Sequence, residues 1–334
     1  MRNLISLILG ALVLVGAGFL FLRPMLAPSL FERAVVQRMS VDRIADLGPG
    51  LHVVLIGTGS PLPDPSRVGP MTGIVADGRL FIFDAGGGAV RRMGEIGFPG
   101  GQVERAFLTH LHSDHIDGLG ELMLQHWAGG GADAPLPIAG PDGVEDVVAG
   151  LMQAYARDRD FRIAHHCEAV VPPSGFGAVA EVIAPGVVYD DGSVRVIAFL
   201  AEHAPISPAF GFVVTHAGKT VVITGDSTAN VSLPPEANGA DLLLAEALNI
   251  EMVKTLEEAA RAAGNDRLAK IFFDIPDYHM TPEEAAELGR RIGAKRTVLT
   301  HLVPAAPNRM AERLFLGDAD AEIGRDGMVI SLTD

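Results

Sequence analysis

The sequence predicts an α/β protein in which sheets pack between helices. Three observations carry this. Short β-rich runs alternate with helical stretches in two halves, one ending near residue 160 and one running to the C-terminus. Asp84, His110, Asp226 and His301 each follow a predicted strand, and strand ends at one sheet edge are where such folds gather their sites. Of the 334 residues, 48% are hydrophobic, enough for a sizeable core, while Gly 39 and Pro 22 supply many tight turns.

The N-terminus opens on Leu4–Leu22, an uncharged run of 19 residues bracketed by Arg2 and Arg23. At about 1.5 Å per residue such a helix spans a bilayer core. Residues 1–23 are therefore expected to be a transmembrane anchor or signal segment, 24–48 a juxtamembrane linker and 49–334 the folded domain. Arg33, Arg38 and Arg43 argue for a cytoplasmic domain, but long domains translocate largely regardless of charge. An Arg2-led segment of this kind delivers the downstream domain to the outside. The expectation is an inner membrane anchor with the following domain in the periplasm. The alternative is secretion to the periplasm after cleavage near Val15-Gly16-Ala17.

The body begins at Leu51. His52–Ile56 reads as a strand, followed by Gly57-Thr58-Gly59-Ser60 and a Pro-rich loop to Pro70. Ile74–Ala76 and Leu80–Phe83 form a hairpin turning at Asp77-Gly78, and Phe210–Thr215 and Thr220–Thr224 another, turning at Ala217-Gly218. Ala106–Thr109, Asp241–Ala245, Ile271–Phe273 and Thr297–Thr300 read as strands, with 161–200 β-rich and irregular. Ile116–Trp127 and Val144–Asp158 read as helices. The helix before the last of these strands is well specified: Thr281 caps it, Pro282 opens it, Glu284 completes a capping box and Gly293 ends it.

His110, His112, Asp114 and His115 crowd into six residues on a strand-to-helix turn, and are of the types that bind zinc and related ions. Alternate positions 110 and 112 can point to one ion, and Asp114 and His115 to a second. No packing benefit explains three histidines and an aspartate together. By contrast, His165-His166-Cys167 reads as a surface group, because adjacent residues rarely point the same way. His52, His126 and His216 read as packing or surface residues, as does Trp127. Gly57–Ser60 offers backbone N–H groups to an anion, although alone it is more often a turn. Cys167 is the single cysteine, which excludes an intrachain disulfide and a thiolate zinc cluster.

His110–His115 resembles the His-x-His-x-Asp-His signature of the metallo-β-lactamase superfamily. Residues 51–305 resemble its branch of ribonuclease Z and arylsulfatase-type hydrolases. Gly57-Thr58-Gly59-Ser60-Pro61 with Arg67, Phe83-Asp84-Ala85-Gly86, Glu202–Phe212, Thr224–Ser227 and His279 through His301 match its further motifs. The resemblance implies an αββα sandwich holding two divalent metal ions, zinc first, with manganese or iron as alternatives. His110, His112 and His203 would hold one ion, Asp114, His115 and His301 the other, with Asp226 bridging. Such an ion pair, about 3.5–4 Å apart, activates a shared water for ester hydrolysis. Asp114 and Asp226 are thereby catalytic as well as ligating. Asp84 would orient a ligand histidine. His279, just ahead of a helix N-terminus, would donate to the substrate or protonate its leaving group. Glu246 resembles the acidic partner of that histidine, with Ala245 standing where the branch carries another histidine.

The expected reaction is hydrolysis of a small phosphodiester or sulfate ester. A carboxylic ester, lactone or β-lactam is the alternative within the fold, and an inactive membrane-tethered binding module the alternative outside it. Nucleic acid is disfavoured as partner. Net charge is −15, and only 22 residues lie between His203 and Asp226, where ribonuclease Z carries its long tRNA-gripping arm. The expected partners are a small anionic ester, the membrane through the N-terminal segment, and a second copy in a homodimer, as is common among enzymes resembling this branch.

Overall fold

Along strand β1 (Leu51–Gly57) every residue is buried, and its side chains alternate between two cores. Leu51, Val53 and Leu55 face a second sheet, while Val54 and Ile56 face helices. In a half-exposed sheet one set would meet water, so this pattern places the sheet inside a layered sandwich. The structure, a computed structural model, describes residue 23 and residues 26–333. The chain divides into two compact units, Met1–Arg43 and Ile44–Asp334. In the first, residues 26–39 are helical. The apolar span expected at Leu4–Leu22 lies outside the described residues. Among the described residues no helix is long and apolar enough to cross a membrane.

In the second unit the first sheet joins β1 to β2 (Met71–Ala76), β3 (Arg79–Phe83), β4 (Val103–Phe107), β5 (Leu136–Gly140), β6 (Ala178–Val182) and β14 (Met328–Leu332). Its order is β14-β1-β2-β3-β4-β5-β6. The second sheet contains β7 (Gly186–Asp190), β8 (Val194–Leu200), β9 (Phe210–His216), β10 (Lys219–Ile223), β11 (Leu242–Leu248), β12 (Thr297–Val303) and β13 (Glu322–Ile323). Its order is β13-β12-β11-β10-β9-β8-β7. Phe83 stacks on Phe107 at 5.0 Å and meets Phe212 of the other sheet edge-on at 5.2 Å, closing the inter-sheet core. Helices cover both outer faces. They are α1 (Ala89–Glu95), α2 (Ser113–Ile116), α3 (Leu119–Leu124) and α4 (Val144–His166) in the first half, then α5 (Ile250–Ala262), α6 (Asp266–Asp274), α7 (Pro282–Ile292) and α8 (Arg309–Leu316). The result is the αββα sandwich expected.

Both hairpins turn where the sequence places them. Asp77 and Gly78, and Ala217 and Gly218, have positive φ, as a two-residue turn between right-twisted strands requires. Helix α7 carries the full capping box, and Gly293 ends it at φ 66°. Two readings need correction. Ile271–Phe273 is not a strand but part of α6, with Phe272 buried and its two neighbours exposed. A short apolar run does not by itself separate strand from helix. The first half ends beyond residue 160, because α4 runs on to His166 and β6 follows it. The extra turns are solvated rather than amphipathic, supported by the Arg162–Asp158 pair at 2.6 Å, so no apolar period announces them.

Candidate metal centre

The centre lies between strand-end loops of both sheets, around the carboxylate of Asp226. Asp226 Oδ2 sits 3.4 Å from Nε2 of both His115 and His301, 3.9 Å from Nε2 of His110 and 4.0 Å from that of His203. Local backbone makes this possible. Gly225, at φ 62°, lets the chain turn sharply after β10, and a Cβ there would fall 2.5 Å from the Phe210 carbonyl oxygen. His301 lies at a bulge in the β11–β12 pairing, between the registers Glu246↔Thr300 and Ala247↔Leu302, with φ 46°. Bulges of this kind re-aim a side chain.

The donor atoms of the expected ligands fall into two groups, and a third group joins Asp226 and His301 to His279. His110, His112, His203 and Asp226 form the first, and Asp114, His115 and His301 the second, with donors in each within 4.8 Å of one another. The donors fit divalent metal. Nε2 of His110, His115 and His203 and Oδ1 of Asp226 are buried with no hydrogen-bond partner among the described residues. Buried polar atoms without partners are costly, and coordination is what satisfies them. Burial, reinforced by His115 nearby, holds His110 far below the ordinary imidazole value. Burial likewise pushes His203 down to about 4, against the pull of Asp226. Both are therefore neutral near pH 7, the form that ligates. Burial opposes charge on Asp226, but His301 and His115 bring its carboxyl well below the usual range.

A second layer of contacts fixes the tautomers. His115 Nδ1 donates to Asp84 Oδ2 at 2.9 Å, and Asp84 Oδ1 accepts from the Thr109 backbone N–H at 2.8 Å. His203 Nδ1 donates to the Tyr278 carbonyl at 2.9 Å, and His110 Nδ1 lies 3.0 Å from Thr109 Oγ1. Each leaves Nε2 free to face the centre. Sequence reasoning found Asp84 but missed Thr109 and Tyr278. Tyr278 acts through its backbone, which leaves no trace in residue type.

His279 stands beside this centre. One of its ring nitrogens lies within 4.8 Å of donors on Asp226 and His301. Its Nδ1 donates to Glu246 Oε1 at 2.9 Å. The same oxygen accepts from the backbone N–H groups of Ser227 and Met280 at 3.1 and 3.2 Å. Burial opposes charge on His279, but Glu246 overrides it and pushes the imidazole up to about 9.

The remaining candidates lie elsewhere. His165, His166 and Cys167 are exposed at the end of α4, and Trp127 is buried, its Nε1 donating to the Pro172 carbonyl at 2.6 Å. His52 and His216 are buried in strands β1 and β9. The glycine-rich loop is not an open anion cradle, because the Thr58 N–H is taken by Asp326 and the Gly59 N–H by the Val68 carbonyl.

Residues 79–302 match the family model described as Beta-lactamase superfamily domain. This chain belongs to the metallo-β-lactamase superfamily. Ribonuclease Z of Mycolicibacterium gilvum strain PYR-GCK is 36% identical over 256 residues, covering 76% of this chain and 85% of that protein. Ribonuclease Z of Mycobacterium avium strain 104 is 34% identical over 282 residues, covering 80% and 96%. Among solved structures, the short form of human tRNase Z superposes with TM-score 0.59 at 24% identity, covering 85% of this chain and all of that one. Zinc-bound PqqB of Methylobacterium extorquens gives 0.55 at 16% identity, covering 84% and 100%. These two likenesses carry the fold. As a member of the metallo-β-lactamase superfamily with ribonuclease Z homologues, the chain is a metal-dependent hydrolase acting on ester bonds, and its His/Asp clusters form a binuclear divalent-metal site.

Two expectations are corrected by these relatives. A small anionic ester as partner, with nucleic acid disfavoured, is overturned by homologues that are named ribonucleases and align over most of the chain. Net charge describes the average field of the molecule and does not determine the surface of one cleft. The inner-membrane placement with a periplasmic domain, and its alternative of secretion to the periplasm, lose their support together with the membrane partner. The finding that overturns them is the homologues' ribonuclease name over most of their length.

Proposed function

We propose that residues 49–334 form a ribonuclease Z-type hydrolase that cuts a phosphodiester bond in RNA. The observation that carries this is the convergence of four imidazole Nε2 atoms on one carboxylate oxygen of Asp226, with the His279–Glu246 pair alongside. In this reading His110, His112 and His203 would hold one ion and Asp114, His115 and His301 the other, with Asp226 shared between the two groups. Zinc suits this nitrogen-rich set, which also accepts manganese or iron. When bound, the two ions supply Lewis acidity at the phosphoryl oxygens and an activated water. Asp84, Thr109 and the Tyr278 carbonyl keep the imidazoles turned toward the centre. His279 uses Nδ1 to hold Glu246, so Nε2 faces the substrate and delivers a proton to the departing oxygen as the P–O bond breaks. Water supplies the atoms that cap the phosphate, and the leaving strand departs as an alcohol.

The test is incubation of zinc-loaded protein with a labelled precursor tRNA bearing a 3′ trailer. Endonucleolytic release of the trailer that stops on chelation is expected. Hydrolysis of an activated nitrophenyl diester without any cut in RNA would remove RNA as the substrate and leave the hydrolase standing.

A further inference from the structure

The loop after β1 and the start of α8 enclose a groove of about 550 Å³ whose walls include Ser66, Arg67, Asn308, Arg309 and Arg325. Three arginines against Glu312 and Asp326 make it locally cationic in a chain of net charge −15. Both acids are committed. Asp326 accepts from the Thr58 N–H and hydroxyl and from the Val68 N–H. Glu312 accepts from Arg325 at 2.9 Å and lies 3.7 Å from Arg67. Two donors remain. Arg67 is 8% exposed; its Nη1 donates to Thr58 Oγ1 and to the Gly324 carbonyl at 2.6 Å, and its Nε alone has no partner among the described residues and calls for an acceptor. Arg309 is exposed at the first position of α8 and makes no ion pair among the described residues. Asn308 caps that eight-residue helix, accepting from the Met310 and Ala311 N–H groups at 3.0 Å, so the positive end of the helix faces the same space.

The groove also connects to the chemistry. Arg67 lines a second cleft of about 500 Å³ that reaches Asp114 at the metal centre. We propose that the groove between Arg67 and Arg309 holds a backbone phosphate of the RNA strand, away from the bond that is cut. This rests on the ribonuclease reading above. It gives a chain with a single hairpin between His203 and Asp226 its own local grip on a polyanion.

The experiment compares wild-type holoenzyme with Arg309→Ala and Asn308→Asp. The second keeps a good helix cap while placing a negative charge in the groove. Both variants should hydrolyse bis(p-nitrophenyl) phosphate at the wild-type rate. Their KM for RNA should rise about tenfold, as for loss of one charged hydrogen bond. The salt dependence of KM should flatten by about 0.7 in log–log slope per lost contact to a single strand. An unchanged KM and slope would overturn the proposal. If wild-type protein cuts no RNA, the ribonuclease reading fails separately, and calorimetric titration with inorganic phosphate decides the groove. Affinity that drops in both variants upholds an anion site there, and affinity equal in all three proteins overturns it.

Discussion

Glu246 Oε1 accepts a hydrogen bond from His279 Nδ1 at 2.9 Å, joining residues 33 apart in sequence. Glu246 lies on β11 beside the bulge that aims His301, and His279 leads into the capped helix α7. One carboxylate thus charges the imidazole, while His301, the bulge residue next to its register partner Thr300 on β12, belongs to the donor cluster. Glu246 on β11 thereby ties the segment that carries His279 to the strand pair that carries His301.

His279→Ala should leave both metals bound and lower turnover by roughly 10²–10⁴-fold, the usual range for a lost general acid. The loss should be largest for substrates with poor leaving groups. The acid form of His279 persists below its pKa of about 9 and is lost as pH rises through it. Wild-type kcat on RNA should therefore fall on the alkaline side, and the variant should lack that limb. Loss of a metal ion in the variant, read by elemental analysis, would make His279 a ligand instead.

Asp84→Asn should weaken metal affinity by about 10–100-fold, the usual effect of losing a partner that orients a ligand histidine. Asn tolerates the φ of 59° found there, so the backbone has no reason to move. Chelator competition reads the affinity, and an unchanged value would show that the 2.9 Å contact to His115 is incidental.

Chelation should lower the melting temperature. A ligand that binds only the folded state at about 100 times its Kd adds about 2.7 kcal/mol, and the unpartnered imidazoles and carboxylate lose their satisfaction when it leaves. Calorimetry of loaded and chelated protein measures this, and equal melting temperatures would argue against these donors as the metal site.

Thr281→Ala should cost about 1 kcal/mol, because it removes the cap on the Glu284 N–H at 3.2 Å. Denaturant titration checks it. Glu284→Gln, which keeps the reciprocal bond to the Thr281 N–H, should cost much less.

Much of this was legible in residue order. The two hairpins, the capping box and the donor-rich turn each rest on local chemistry: positive φ, a side chain bonding its own helix, four donors in six residues. Helix α6 was missed because Ile271-Phe272-Phe273 looks the same to a period test whether strand or helix. Strand β14, which closes the first sheet against β1 from the far end of the chain, has no local signature. Thr109 and Tyr278 were invisible because one works through a generic hydroxyl and the other through a carbonyl that every residue carries. Composition misled on the partner, since a net charge of −15 conceals a groove where arginines gather.

The most direct test of a two-metal ribonuclease centred on Asp226 is a zinc titration of the metal-free protein, followed by cleavage of a 3′-extended precursor tRNA. Activity should climb to a plateau at two equivalents per chain, and Asp226→Ala should stay flat throughout. A plateau at one equivalent, or cleavage that proceeds without added metal, would contradict the account.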